Sequence, residues 1–197
     1  MSNLILNKST FIHVPKCAGT VIQAVLCHSN LVRYRYSMPH SGHLFLHQMP
    51  QDSDLFHFCF VRHPYTWWPS FWKYSKMDNE DPNFNNWIRD YGPKFMGMYT
   101  NMVKRYLGED AAFKTDLKIS FIGKVENINT DLILALKMAN EDFDQSKVLD
   151  LISNVETNEK ISRWQNKQQY NREISNEAKE IIFNTEKWIF ERFNYLP

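Results

Sequence analysis

Apolar residues along this chain follow two rhythms: short, nearly continuous runs, and longer stretches with residues three and four apart. The strongest run is Leu55 to Val61, reading Leu-Phe-His-Phe-Cys-Phe-Val. Such continuity predicts a parallel strand buried on both faces. Phe11, Ile12 and Val14 predict a shorter interior strand that Pro15 stops. Leu31 to Tyr36 predicts another, with Arg33 and Arg35 on one side and Val32, Tyr34 and Tyr36 on the other. Leu117 to Ile122 reads as a further strand, ended by Gly123. Between the runs the helical spacing takes over. Ile22, Val25 and Leu26 mark a first helix that Thr20 is placed to cap. Pro64 opens a second, bearing Trp67, Trp68, Phe71, Trp72 and Tyr74, and its interior Pro69 predicts a kink or restart.

The second half is mostly helical in pattern. Helices are expected near Asn83–Tyr91 and Phe95–Leu107, with Gly92-Pro93 between them. Leu132, Ala135, Leu136 and Ala139 mark one further helix, Gln145 to Asn154 another, and Ser175 to Phe193 a last amphipathic one. Met38 to His47 is loop-rich, and Glu156 to Arg172 reads as a polar loop or flap. Strands alternating with helices predict an α/β fold, a mainly parallel sheet flanked by helices, in one domain over 1–197. Ligands of such sheets sit beyond the carboxyl ends of the strands. Lys16 and Arg62 each stand just past a strand end, so both are expected at that edge.

Composition narrows this picture. The 197 residues are 43% hydrophobic, enough for one sizeable core, and the formal net charge is only +1. No global field therefore argues for nucleic acid or an anionic membrane as partner. Cys17, Cys27 and Cys59 are an odd number without metal-ligand spacing, which reads as free thiols in a reducing compartment. No metal site is expected. No signal peptide and no bilayer-length apolar run is evident, so the expected location is cytoplasmic.

Candidate chemistry begins at Thr10-Phe-Ile-His-Val-Pro-Lys-Cys-Ala-Gly-Thr20. A tight basic loop running into a helix N-terminus is a ready anion site, because the first-turn N–H groups and the helix dipole favour negative charge. Lys16 adds a full charge, and the bland alternative is an ordinary connection with a solvated lysine. The loop is no Walker A motif, since the lysine precedes the glycine. Cys17 in this setting is also open to a nucleophilic role. Arg62 and Ser70, eight residues apart across Pro64, pair a guanidinium with a hydroxyl that together suit a second phosphate. The tryptophans read as core, with stacking on adenine or a sugar as the alternative.

Here the chain resembles a known family. Phe11-Ile-His-Val-Pro-Lys-Cys-Ala-Gly-Thr20 is similar to the 5′-phosphosulfate loop of sulfotransferases, in the branch of the carbohydrate sulfotransferases. Phe60-Val-Arg-His-Pro-Tyr-Thr-Trp-Trp-Pro-Ser-Phe-Trp72 resembles the 3′-phosphate motif, an Arg-x-Pro followed by a Ser. Phe121 to Ile128, Asn166 to Tyr170 and the closing helix are similar to later segments. The resemblance implies a P-loop-like sulfotransferase fold that binds 3′-phosphoadenosine 5′-phosphosulfate (PAPS). It implies in-line transfer of the sulfuryl group to an acceptor hydroxyl of a glycan or small molecule, with no metal. By position, Lys16 serves catalysis and the 5′ end, and the segment Cys17, Ala18, Gly19, Thr20 and Val21 cradles it. Arg62 and Ser70 hold the 3′-phosphate. The resemblance also suggests His43 as the histidine base, with His40 and His47 behind it; His63 is read as shaping the phosphate site and His13 as buried and hydrogen-bonded.

Two departures stand out. Trp67 occupies the place of a second arginine, and Val21 that of a frequent hydroxyl residue. Lys167 or Arg172 is placed to restore the missing charge. Two other readings compete. A P-loop-like nucleotide kinase lacks its Walker lysine and an evident Mg²⁺ carboxylate here. A non-catalytic binding module on the same fold is separated from an enzyme by whether His40, His43 and His47 matter to turnover.

Overall fold

The computed structural model describes residues 3–36, 44–49, 54–79, 81–95, 97–113, 115–155 and 173–197. The chain divides into two compact units, Met1–Val61 with Lys104–Gln169, and Arg62–Val103 with Tyr170–Pro197.

The first unit is built on a five-stranded mixed sheet in the order β3-β1-β2-β4-β5. Its strands are β1 (Asn3–Ile5), β2 (Ser9–Ile12), β3 (Tyr34–Tyr36), β4 (Phe56–Val61) and β5 (Phe121–Lys124). β2, β4 and β5 are parallel, with Phe11 opposite Phe58 and Phe58 opposite Phe121. β1 pairs antiparallel with both β2 and β3. The expected parallel character therefore holds for the central strands and gives way at the β3 side. The reason is the short connection from β1 to β2, closed by Leu6 N–H to Ser9 O at 2.8 Å. A link this short joins antiparallel neighbours only. β1 itself has no counterpart in the pattern reading, because three residues show no periodicity.

β2 is buried along its whole length and β4 from His57 onward, as strands covered on both faces are. Gly123 lies inside β5 rather than ending it. A methyl there would fall 2.5 Å from Phe60 Cε1, so the aromatic ring of β4 occupies the space of the missing side chain. Helix α1 (Gly19–His28) buries Ile22, Val25 and Leu26 and lies against α6 (Gln145–Val155), which also meets α5 (Ile128–Met138). Glu141, buried after α5, accepts from Lys8 N–H (2.8 Å) and Ser9 Oγ (2.7 Å), tying that end of the helix to the start of β2.

The second unit is helical and aromatic. It holds α2 (Pro64–Tyr74), α3 (Phe84–Tyr91) and the start of α4 (Met98–Leu107), then α7 (Asn176–Thr185) and α8 (Lys187–Arg192). Trp67, Trp68, Trp72, Trp87 and Tyr99 are all buried, which settles these four tryptophans as core. Trp67 stacks on Tyr99 (4.3 Å between centroids) and Phe71 (5.1 Å). Pro69 does not restart α2, which runs through it. A proline at the sixth helical position forfeits one bond, to Tyr65 O, and the burial of Trp67, Trp68 and Trp72 outweighs that loss. The expected last helix is interrupted at Glu186, whose buried carboxylate is engaged elsewhere. No helix among the described residues is long and apolar enough to cross a membrane.

Candidate functional site

In the first unit, β2 and β4 run side by side and parallel, so they end at one edge of the sheet. The chain leaves β2 through His13 and Val14 into Pro15–Gly19. Lys16 and Ala18 both adopt left-handed backbone (φ 64° and 56°), while Cys17 between them does not. Alternation of this kind curls successive N–H groups toward one side and makes a concave anion receptor. Ala18 is the N-cap of α1 and supplies no side-chain cap. The first helical bond is Ile22 N–H to Ala18 O (3.0 Å), and Ala18 itself places no capping side chain on the first-turn N–H groups ahead of it. Thr20, expected as the cap, stands inside the first turn instead. The reason is that the left-handed Ala18 has already turned the chain, and Gly19 starts the helix. The Cys17 N–H points back to Val14 O at 3.3 Å.

Gly19 is small because His13 lies beneath it. A methyl at Gly19 would sit 1.8 Å from His13 Nε2. His13 is buried, and its N–H donates to Asn3 Oδ1 (2.9 Å). Its Nδ1 stands 3.4 Å from Gln23 Nε2, on α1. The loop therefore rests on a ring fixed from β1 and α1, which agrees with the reading of His13 as buried and hydrogen-bonded.

Cys17 is buried, and a thiol so enclosed offers no exposed nucleophile. Burial, and then the neighbouring Cys17, push the Cys59 thiol far up, and the same two causes raise Tyr106. From Tyr106 the contacts run to Phe45 (4.8 Å) and on to His47, which lies between Phe45 (5.7 Å) and Phe113 (5.0 Å). His47 thus belongs to a packed ring cluster with Phe45, Tyr106 and Phe113. His40, His43 and Lys167 lie outside the described residues.

In the second unit, Arg62 is the residue directly after β4. Its Nε–H donates to Thr66 Oγ1 (3.0 Å), and the Thr66 hydroxyl donates to His63 O (3.0 Å). Ser70, one turn further along α2, has a buried Oγ with no hydrogen-bond partner among the described residues. A helical serine ordinarily donates to the carbonyl four residues back. Arg62, Thr66 and Ser70 thus recur every fourth residue. Thr66 escaped the sequence reading, although the interval of four was there to find it.

His63 has both ring nitrogens engaged. It is the N-cap of α2: Nδ1 accepts from Tyr65 N–H (3.2 Å), and Nε2 faces Leu196 O at 3.0 Å. With the cap accepting at Nδ1, the proton belongs on Nε2 and is donated to that carbonyl. Tyr65, Phe190 and Tyr195 hold the ring.

Behind Arg62 stands a buried carboxylate. Glu186 accepts from Tyr99 N–H (3.2 Å), Thr100 N–H (2.8 Å) and Thr100 Oγ1 (2.6 Å), closing the N-terminal turn of α4. Burial pushes its carboxyl above the ordinary 4.5, and the bonds from Thr100 and Tyr99 pull part of the way back. A raised folded value means the native state keeps this proton longer than the unfolded chain. The group's contribution to stability is therefore greatest below pH 4.5 and falls as pH rises toward the folded value. In Glu186→Gln that decline is expected to vanish, as measured by urea midpoints of both proteins across pH 4 to 7.

Among the described residues no group of three or more His, Cys, Asp or Glu is placed to hold a metal ion. No family model, curated protein or solved structure matches this chain.

Proposed function

We propose that this protein is a PAPS-dependent sulfotransferase of P-loop-like sulfotransferase fold, acting on an acceptor hydroxyl, by preference of a carbohydrate. The observation that carries the reading is the backbone of Lys16 to Gly19. Two non-glycine residues hold left-handed φ immediately before a helix whose N-cap residue, Ala18, supplies no side-chain cap. Each such residue costs on the order of 1–3 kcal/mol, and strain of this kind persists where it serves a purpose. An anion cradled by N–H groups is a purpose that fits, and Lys16 supplies the matching charge.

The residues present suit the ligand at both ends, each judged within its own unit. Lys16 and the N–H groups at the start of α1 are assigned to the 5′ end. Arg62 and Ser70 are assigned to the 3′-phosphate. A buried hydroxyl that makes no bond costs about 1–3 kcal/mol, and a phosphate oxygen would accept from it. Bound PAPS supplies the sulfuryl group and a good leaving group. Lys16 is positioned in sequence to neutralise charge growing on the leaving oxygen, the contribution that counts most in a loose transfer. Removing the acceptor proton is assigned to the histidine cluster His40, His43 and His47.

Calorimetric titration with adenosine 3′,5′-bisphosphate, with adenosine 5′-monophosphate as reference, tests the reading. The bisphosphate is expected to bind more tightly, and Arg62→Ala to erase about 10- to 100-fold of that advantage. Absence of binding by either nucleotide removes the proposal.

A further inference from the structure

We infer that Tyr99 is the positioning residue for Arg62, and that the buried Glu186 holds Tyr99 in place. This rests on the reading of Arg62 as a 3′-phosphate ligand. The Tyr99 hydroxyl accepts from the Arg62 N–H at 2.8 Å and donates to the Arg62 C=O, also at 2.8 Å. One side-chain atom thereby satisfies both backbone groups of Arg62, as the partner residue in a hydrogen-bonded antiparallel pair does.

That matters because Arg62 stands where strand pairing has ended and helix α2 has not begun. A residue there belongs to neither β4 nor α2, so its backbone N–H and C=O call for partners from outside both elements. Tyr99 provides both constraints from one direction. The hydroxyl is itself immobilised. Its ring lies flat on Trp67 (4.3 Å between centroids, 10° between planes), and both rings are buried. Its backbone N–H ends on Glu186 Oε1 (3.2 Å), and the next residue gives two more bonds to Glu186 Oε2. The line from carboxylate to phenol to guanidinium-bearing backbone is continuous and lies wholly within the second unit. From the other side, Thr66 Oγ1 accepts from Arg62 Nε, so the side chain is aimed after the backbone is fixed.

Tyr99 touches no phosphate in this scheme; it acts through Arg62. Its signature is selective loss of the 3′-phosphate increment, the ratio of adenosine 3′,5′-bisphosphate affinity to adenosine 5′-monophosphate affinity. Tyr99→Phe keeps the stacked ring and deletes only the hydroxyl. The ratio is expected to fall about three- to tenfold, with monophosphate affinity unchanged. In an Arg62→Ala background the same substitution is expected to leave the ratio where Arg62→Ala put it. Thr100→Val, which removes one bond to Glu186, is a milder second variant expected to lower the ratio less; it serves if Tyr99→Phe does not fold.

The outcomes separate. If Arg62→Ala leaves the ratio intact, or the wild type binds neither nucleotide, the reading of Arg62 falls and this inference with it. If Arg62→Ala collapses the ratio while Tyr99→Phe and Thr100→Val leave it untouched, only the positioning role is overturned. Equal losses for both nucleotides reduce Tyr99 to a structural residue and overturn it as well.

Discussion

Lys16→Ala is expected to lower PAPS-dependent turnover by about 10²- to 10³-fold, the range seen when a preorganised charge-stabilising group is removed from a transfer site. Stability is expected to change little. Lys16 is only half-buried and already holds a left-handed backbone that alanine adopts two residues later, at Ala18. The measurement is release of adenosine 3′,5′-bisphosphate in the presence of hydroxyl acceptors, alongside a denaturation curve. Nucleotide affinity should fall far less than turnover, because the N–H groups at the start of α1 remain. Equal turnover in the variant and the wild type would refute the assignment of Lys16. Wild-type nucleotide binding with no turnover toward any acceptor would favour the non-catalytic module.

The second large effect is expected at Gly19→Ala. The added methyl would lie 1.8 Å from His13 Nε2 and 2.0 Å from Cδ2. His13 has no room to yield: it is buried, anchored through Asn3, in contact with Gln23 and stacked near Phe11. The cost is expected at about 3 kcal/mol, the upper end for overpacking in a close-packed interior. Nucleotide binding should be lost with it, because the cradle shifts. The diagnostic comparison is a cycle with His13→Ala. Once the ring is gone, adding Gly19→Ala should cost under about 1 kcal/mol, since the clash it made no longer exists. A full penalty in the absence of the ring would show that the glycine serves some other purpose. The motif glycine thus has a partner inside the protein, the ring of His13.

Several features were legible because they are local. Leu55 to Val61 spells its own burial, and β4 covers Phe56–Val61. Ser175, the expected start of the last helix, caps α7, its Oγ accepting from Ala178 N–H at 3.2 Å. Asn83 does the same for α3 through Asn85 N–H at 3.0 Å. The loop after β2 and the cation after β4 could be placed at strand ends because a proline closes one strand and a His-Pro pair follows the other. Less legible were Thr66, which is unremarkable until Arg62 turns toward it, and Gly123, whose reason is the ring of Phe60 on the neighbouring strand.

By itself, then, the order of residues determined most of the helix segments, the central strands, the α/β class and the basic loop ahead of α1, since each depends on neighbours within one or two turns. Tertiary structure alone decided the mixed sheet, the break at Glu186, the ring beneath Gly19 and the hydroxyl that holds Arg62. The last three depend on residues 6 to 87 positions apart meeting in space, such as His13 with Gly19 and Glu186 with Tyr99. Hydrogen bonds and excluded volume act at a few ångströms, and no local pattern encodes which distant side chain will arrive there.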